Sequence, residues 1–378
     1  MKLFGCVVSL YSAVGPLFYV ARILGAAPMT TIPGNLAQKY QLSWKWISYS
    51  AALMLLFLGY SFCHPFYLHS TGPYSRNMAF AVIIQMKHGL LMFLAVYYHW
   101  SRSREVLALM AKIDESFLHN RKAFYQRAFI LIFLKMFFLL VLKLSLHICL
   151  EITLMPSSTG LPNTVYSCYS QAFLEVLMLE FTTLVLLLKQ RLSELNEQVQ
   201  CVIEVCRAHP YRVRAAHLRC LMDFHEELCR VCELINSRFE AQMLVIFTVY
   251  FGFLVTYVSS EVHSLLECCG SGCLMPEKLL LIIYITSDHL SQMSAIILFC
   301  GCATREAARL RRLLLTLDFL QVPDPCVARN VQRFLTQASA GRIRFSVYGL
   351  FELKGSTIFS ALNMAISYII ILIQAKRQ

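Results

Sequence analysis

GSTIFSALNMAISYIIILIQ, residues 355–374, is the stretch that decides how this chain is read. It is apolar and uncharged, and at about 20 residues it has the length of one membrane-crossing α-helix. Ser356, Ser360, Asn363, Ser367, Ile371 and Gln374 recur along it at helical spacing, so all six share one face, and five of them are polar. The other positions are mostly Ile, Leu, Met, Phe and Ala. Lipid cannot satisfy a polar stripe, so the stripe must face protein or water. Two readings follow: a seam of interhelical hydrogen bonds, or the lining of a pore built from symmetry-related copies. In the second, Ile371 closes the pore by dewetting near its outer end, with Gln374 one turn beyond.

Six more apolar runs of comparable length precede this one: Trp46–Tyr67, Ala79–Trp100, Phe129–Met155, Val165–Leu188, Ala241–Val262 and Leu279–Cys302. The whole chain of 378 residues is 57% hydrophobic and only 15% charged, against roughly a quarter charged in soluble domains. A disordered protein is excluded and a soluble enzyme is disfavoured. The expected fold is all-α, a polytopic membrane protein with seven transmembrane helices. Leu3–Ala27 is also apolar but is interrupted by Pro16, Arg22 and Pro28. Within a segment 1–45 it reads as a membrane-associated or re-entrant helix, with a signal peptide as the alternative.

Charge gives the orientation. Net charge is +12, which in a soluble protein would point to nucleic acid. Here the basic residues segregate instead. Of 34 Lys and Arg, 27 fall in the N-terminal segment and in the second-to-third, fourth-to-fifth and sixth-to-seventh connections. Four fall on the other side, and Lys87, Lys135 and Lys143 lie inside spans. The positive-inside rule puts the heavy side in the cytoplasm, so the N-terminus is cytoplasmic and the C-terminus extracellular. This is the reverse of a G-protein-coupled receptor, and no nucleic-acid partner is expected.

The cytoplasmic connections carry apolar periodicity of their own. Leu188, Leu192, Leu195, Val199 and Val202, then Leu218, Leu221, His225, Leu228, Cys232, Ile235 and Phe239, predict helical extensions of spans four and five over 189–240. Leu310, Leu313, Leu314 and Leu317 extend span six up to the breaker Val322-Pro323-Asp324-Pro325, and a further helix covers Ala328–Ala338. The chain thus divides into the segment 1–45, a six-helix ligand-binding membrane domain over 46–302, cytoplasmic anchor helices over 303–354, and a final pore-lining helix with a short outer tail over 355–378.

The segment Ser367-Tyr368-Ile369-Ile370-Ile371-Leu372-Ile373-Gln374-Ala375 resembles the C-terminal signature of insect gustatory receptors: Thr-Tyr, five hydrophobic residues, Gln-Phe. Ser367 stands for the Thr and Ala375 for the Phe. Gly349-Leu350-Phe351-Glu352-Leu353 is similar to the family's lead-in to this helix, and Arg22–Pro28 to its N-terminal pattern. The resemblance implies a tastant-gated, non-selective cation channel subunit in the plasma membrane of gustatory sensory neurons. It implies a homotetramer, or a heterotetramer with related receptor subunits, in which the last helix lines the pore. Ser360, Asn363, Ser367, Tyr368, Ile371, Gln374 and Ala375 would form pore and gate, with Tyr368 bracing the helix and Ile371 closing more of the pore than the small Ala375 can. Ile369 stands where sugar-responsive members tend to carry an acidic residue, which disfavours sugars. The partners implied are a small-molecule tastant, cations and the lipid bilayer. The rival reading is a membrane transporter whose last helix lines a substrate path; the absence of an internal repeat weighs against it.

Charges inside spans are costly and are expected to pair. Spans three and four are adjacent and antiparallel, so Lys143–Glu175 and Lys135–Glu180 pairs are expected. The outer halves of spans two to six hold Gln85, Lys87, His88, His147, Tyr169, Phe173, Tyr257, Tyr284 and Asp288, aromatics with a few polar groups, as a small-ligand pocket requires. His88, His147 and His289 lie on three different spans without two-His helical spacing, so no metal site, no cofactor and no enzyme are expected. His225-Glu226-Glu227-Leu228-Cys229 and Cys229/Cys232 read as helix faces. Cys268, Cys269 and Cys273 sit in an outer loop where a disulfide is permitted, with Cys63, Cys149 and Cys168 also near the outer side and the pairing left open.

Overall fold

The structure is a computed structural model that describes residues 9–27, 29–31, 40–71, 105–117, 121–146, 148–149, 161–209, 215–270, 276–319, 324–341 and 343–377. Helices dominate it. In chain order the described helices are α1 Leu10–Ile23, α2 Trp44–Thr71, α3 at 105–117, α4 Arg121–Phe137, α5 Leu161–Ala208, α6 Ala215–Gly270, α7 Pro276–Phe319, α8 Pro325–Ser339 and α9 Gly355–Arg377. A π-helical segment, Phe138–Lys143, continues α4. Two small antiparallel ribbons complete the set: β1 Met29–Thr31 with β2 Tyr40–Leu42, and β3 Ser346–Val347 with β4 Phe351–Glu352. The expected second span, Ala79–Trp100, lies outside the described residues. Phe124–Leu146 and Thr164–Ala208 are the described stretches apolar enough over sufficient length to cross a membrane.

α5, α6 and α7 run for 48, 56 and 44 residues without a break. The leucine period seen after span four therefore continues the same helix. The apolar face predicts this: Leu188, Leu192, Leu195 and Val199 are fully buried, as are Leu218, Leu228, Cys232 and Ile235 on α6. α5 and α7 form the most extensive helix pair, and α6 and α8 pack beside them. Asp324 caps α8, its side chain accepting from the Cys326 backbone N–H at 2.8 Å, with Pro325 at the first helical position.

α1 is packed into this bundle against α4 and α5. Ser9 and Ser12 form a reciprocal capping box at its start. The helix runs through Pro16, which was expected to interrupt it; the loss of one backbone hydrogen bond is offset by the burial of Leu10, Val14, Leu17, Phe18 and Ala21. It ends in a Schellman turn, with Gly25 at φ 75° and the Ala26 N–H donating to the Ala21 carbonyl at 2.7 Å. Three aromatics clamp that end. Tyr49 donates to the Ile23 carbonyl at 2.8 Å, Tyr169 donates to the Leu24 carbonyl at 2.7 Å, and the Arg22 guanidinium lies 5.3 Å from the Trp46 ring centroid.

A second anchor ties α3 to α5. Arg191 Nε donates to Asp114 Oδ1 at 2.7 Å and Arg191 Nη2 to Asp114 Oδ2 at 2.5 Å, while the Tyr125 hydroxyl donates to Oδ2 at 2.8 Å. Both charged side chains are wholly buried. A two-pronged pair with its remaining hydrogen bonds satisfied is the geometry in which buried charges are tolerated.

β3 and β4 are joined by a tight turn in which Tyr348 and Gly349 both take positive φ, 48° and 69°. The Leu350 N–H closes the turn on the Val347 carbonyl at 2.8 Å, and three residues separate the paired Val347 and Phe351. This hairpin is the Gly349–Leu353 motif of the sequence. Phe351 packs edge-on to Phe247 of α6, and the Thr357 hydroxyl donates to the Glu352 carbonyl at 2.6 Å. The hairpin thus sets where α9 begins.

Candidate functional site

α4 with its π segment, α5 and α7 surround a cavity of about 910 Å³. Each contributes one face. On α7 that face is Tyr284, Asp288, Ser291, Gln292, Ala295 and Phe299, at offsets of three and four. On α5 it is Glu175, Met178, Leu179 and Thr182. On α4 and the π segment it includes Lys135 and Lys143.

Lys143 and Lys135 are eight residues apart, which at about 100° per residue would put them roughly 80° apart on a regular α-helix. The i→i+5 turns of Phe138–Lys143 rotate each residue less than that. The wider turn brings Lys143 back onto the face of Lys135, and both reach the cavity.

At one end of the cavity sits a polar cluster. Lys143 pairs with Glu175 and, at 2.6 Å, with Asp288. Gln171 donates to both carboxylates, at 3.2 Å each. Gln292 also donates to both, at 2.6 Å to Glu175 and 3.0 Å to Asp288. The Tyr250 hydroxyl donates to the Gln292 carbonyl oxygen, and the His289 ring lies edge-on to Tyr250. One ammonium and two amides therefore hold two acidic side chains between three helices.

Lys135 does not reach Glu180. Its Nζ is buried, has no hydrogen-bond partner among the described residues, and lies 3.4 Å from the Phe299 ring centroid on α7. Helix geometry explains why the second expected pair does not form beside the first. Lys135 and Lys143 are eight residues apart and Glu175 and Glu180 five, so the axial separations of the two pairs do not match once Lys143 is held by Glu175.

The residues expected to bind ligand are divided. Tyr284 and Asp288 line the cavity. Tyr169 and Phe173 lie on a different face of α5, where Tyr169 stacks on Phe57 at 3.9 Å and holds α1, and Phe173 is fully buried. Gln85, Lys87, His88 and His147 lie outside the described residues, as does the side chain of Tyr257. The cavity brings in Gln292, and the adjoining cluster brings in Gln171 and Tyr250. Their signal was present in the sequence: Gln171/Glu175 and Asp288/Gln292 are polar pairs at i,i+4 inside apolar spans.

α9 is placed differently. Ala365 is 1% exposed against Leu254 and Val255 of α6, and Ile358, Ala361 and Leu362 lie near Leu290 and Met293 of α7. At about 100° per residue, this packed strip lies across the helix from Ser356, Ser360, Asn363, Ser367 and Gln374, all of which are exposed. Ser360 and Ser367 donate to the carbonyls of Ser356 and Asn363, at 3.2 and 3.0 Å. Phe359, Ile366 and Ile370 are exposed on one flank of the stripe and Met364 on the other, with Ile371 exposed at the edge of the stripe itself. Tyr368 meets Phe251 edge-on at 6.4 Å. The side chain of Ala375 lies outside the described residues.

Among the described residues no His, Cys, Asp or Glu cluster has a metal-binding arrangement. His225 packs edge-on to Phe334 and contacts Cys229, and Gln337 donates to Glu226 at 3.0 Å. Cys63 is a free thiol. Cys273 and the side chains of Cys268 and Cys269 lie outside the described residues.

Long helices enclose a charged cavity, and the last of them leaves a polar face open. A sequence model of the 7tm chemosensory receptor family matches residues 14–378, and the chain belongs to that family of membrane-embedded receptors. It is similar to gustatory and pheromone receptor 32a of Drosophila melanogaster, 24% identical over 154 residues. That match takes in 40% of this chain and 32% of the relative, about a third of its length. The fold is similar to the insect olfactory receptor OR5 from Machilis hrabei, with a TM-score of 0.68 at 15% identity over 96% of this chain and 97% of that one. The structure of the same receptor in complex with eugenol gives a TM-score of 0.67 at 14% identity over the same shares.

Proposed function

We propose that the chain is a subunit of a tastant-gated, non-selective cation channel with seven spans, a cytoplasmic N-terminus and an extracellular C-terminus. Four copies, identical or mixed with related subunits, place α9 around a central pore in the plasma membrane of gustatory sensory neurons. The observation that carries this reading is α9 itself. Its polar stripe points directly away from the strip that packs on its own chain, and apolar flanks lie on either side. A fourfold ring gives each face a suitable partner: water for the stripe, neighbouring subunits for Phe359, Ile366 and Met364. Ile371 narrows the outer end and Gln374 follows it. The stripe carries no acidic side chain, so cation discrimination rests on Ser, Asn and Gln dipoles and is weak. The gustatory assignment is supported by the likeness to the Drosophila receptor.

The cavity between α4, α5 and α7 is the ligand site in this reading. α7 links it to the pore helix, because Asp288 and Gln292 face the cavity while Leu290 and Met293 face α9. A ligand that contacts the cavity better when α7 is displaced favours the displaced state, and α9 moves with it.

Cysteine accessibility tests the reading. In cells expressing the chain, a charged methanethiosulfonate reagent is expected to alter ligand-evoked current irreversibly for Asn363→Cys and Ser367→Cys, but not for Ala365→Cys or the parent protein. If no stripe position responds, the stripe is not on the ion path, and a packing seam or a transport path is the better reading.

A further inference from the structure

The two ends of the 910 Å³ cavity differ in what they still need. At the outer end the acids are already served: Glu175 Oε1 accepts from Lys143, Gln171 and Gln292, and the two Asp288 oxygens accept from the same three side chains. A cationic ligand there would have to displace Lys143 from both carboxylates. At the other end Lys135 projects its Nζ against the Phe299 ring with no acceptor in reach among the described residues. A buried ammonium resting only on a ring face is costly in an apolar site. An anionic group arriving on a ligand would remove that cost and form a charge-assisted hydrogen bond. Between the two ends the wall is Leu134, Phe138, Leu142, Met178 and Ile296, and the volume suits a molecule of drug or medium-chain size.

We infer that this cavity takes an amphiphile with an anionic head, carboxylate or phosphate, which docks on Lys135 while its apolar body lies along α4 and α7. The inference rests on the cavity being the ligand site and names the chemistry of what fills it. The outer cluster of Lys143, Glu175 and Asp288 is then the fixed wall against which the far end of the ligand stops.

The test is direct binding to the full chain in phosphatidylcholine nanodiscs, with radiolabelled decanoate, 1-decanol and decylamine as probes of one length. Decanoate is expected to bind about tenfold or more tighter than decanol, with decylamine the weakest. Lys135→Met should erase the preference for decanoate while leaving decanol binding in place, and Lys135→Arg should keep it. Equal binding of decanoate and decanol to the parent protein, or an unchanged preference in Lys135→Met, overturns the inference while leaving the cavity a ligand site. Binding of none of the three overturns the cavity reading itself. If Lys135→Met does not fold, the ranking of the three probes on the parent protein decides. Adding phosphatidylglycerol separates the sources of the anion. Unchanged decanoate binding assigns a free acid, competition assigns a bilayer lipid, and either result keeps the anionic head.

Discussion

α5 and α9 are both apolar helices of one receptor, yet they treat their polar groups in opposite ways. Over the apolar stretch of α5, 94% of the residues are buried, and its charged side chains find partners inside the chain: Arg191 with Asp114, Glu175 with Lys143. α9 packs through a single strip around Ala365, and Ile371 is 56% exposed. Its serines turn back onto their own helix, and Asn363 and Gln374 face outward. The difference separates a helix held on most of its surface by its own chain from one held along a single strip. α5 buries nearly all of its apolar stretch against its own chain, whereas α9 leaves a polar face that lipid cannot satisfy.

The comparison predicts that substitutions in the α5 network unfold the protein and that substitutions in the α9 stripe do not. The largest effect is expected from Asp114→Ala, which strands a wholly buried guanidinium. Breaking such a pair costs about 3–5 kcal/mol, seen as a steep fall in thermal stability of the detergent-solubilised protein and in surface expression. Parent-like stability would show that the anchor is dispensable.

Lys143→Met should cost less. Gln171 and Gln292 still hold Glu175 and Asp288, and one of the two acids can take up a proton. Adding Asp288→Asn should recover part of the loss, with a coupling of about 0.5–3 kcal/mol in a double-mutant cycle of melting curves. Strict additivity would mean that the three side chains do not act as a unit.

Asn363→Leu sharpens the comparison from the other side. It is expected to change stability by no more than about 0.5 kcal/mol, as at an exposed position, while abolishing ligand-evoked current at unchanged surface expression. A loss of stability as large as that of Lys143→Met would make the stripe part of the scaffold.

The smallest perturbation is chemical labelling. Burial, reinforced by neighbouring Cys229, pushes the Cys232 thiol up to about 12, and its S–H is directed at the Arg344 carbonyl. A raised pKa keeps the thiol protonated between pH 7 and 9, so Cys232 should resist maleimide across that range while the exposed Cys201, Cys220 and Cys326 are labelled. Mass spectrometry of the folded and denatured protein reads this directly.

The residues differ in how legible these arrangements were. Apolar periodicity carries α5, α6 and α7 well past their apolar cores, because a buried helix face repeats in sequence whether or not lipid surrounds it. The α9 stripe was legible for the same reason, since its spacing is a property of one helix. Contacts between distant segments were not. Asp114 and Arg191 lie 77 residues apart and carry no local mark. The π segment that ends at Lys143 has no sequence signal, yet it turns Lys143 onto the cavity face. Tyr169 and Phe173 looked like pocket aromatics because composition alone does not say which side of a helix faces a cavity. The β3–β4 hairpin escaped because the positive φ at Tyr348 is unusual for a residue other than glycine.

The claim that α9 is completed only by further copies is tested most directly by counting subunits. Single-molecule photobleaching of the full chain, carrying one fluorescent tag and held at the cell surface, should give four bleaching steps when the chain is expressed alone or, in a mixed assembly, a total of four with a differently coloured related subunit. One or two steps, with no second subunit recruited, would leave the stripe of Ser360, Asn363, Ser367 and Gln374 without a ring to line and would contradict the account.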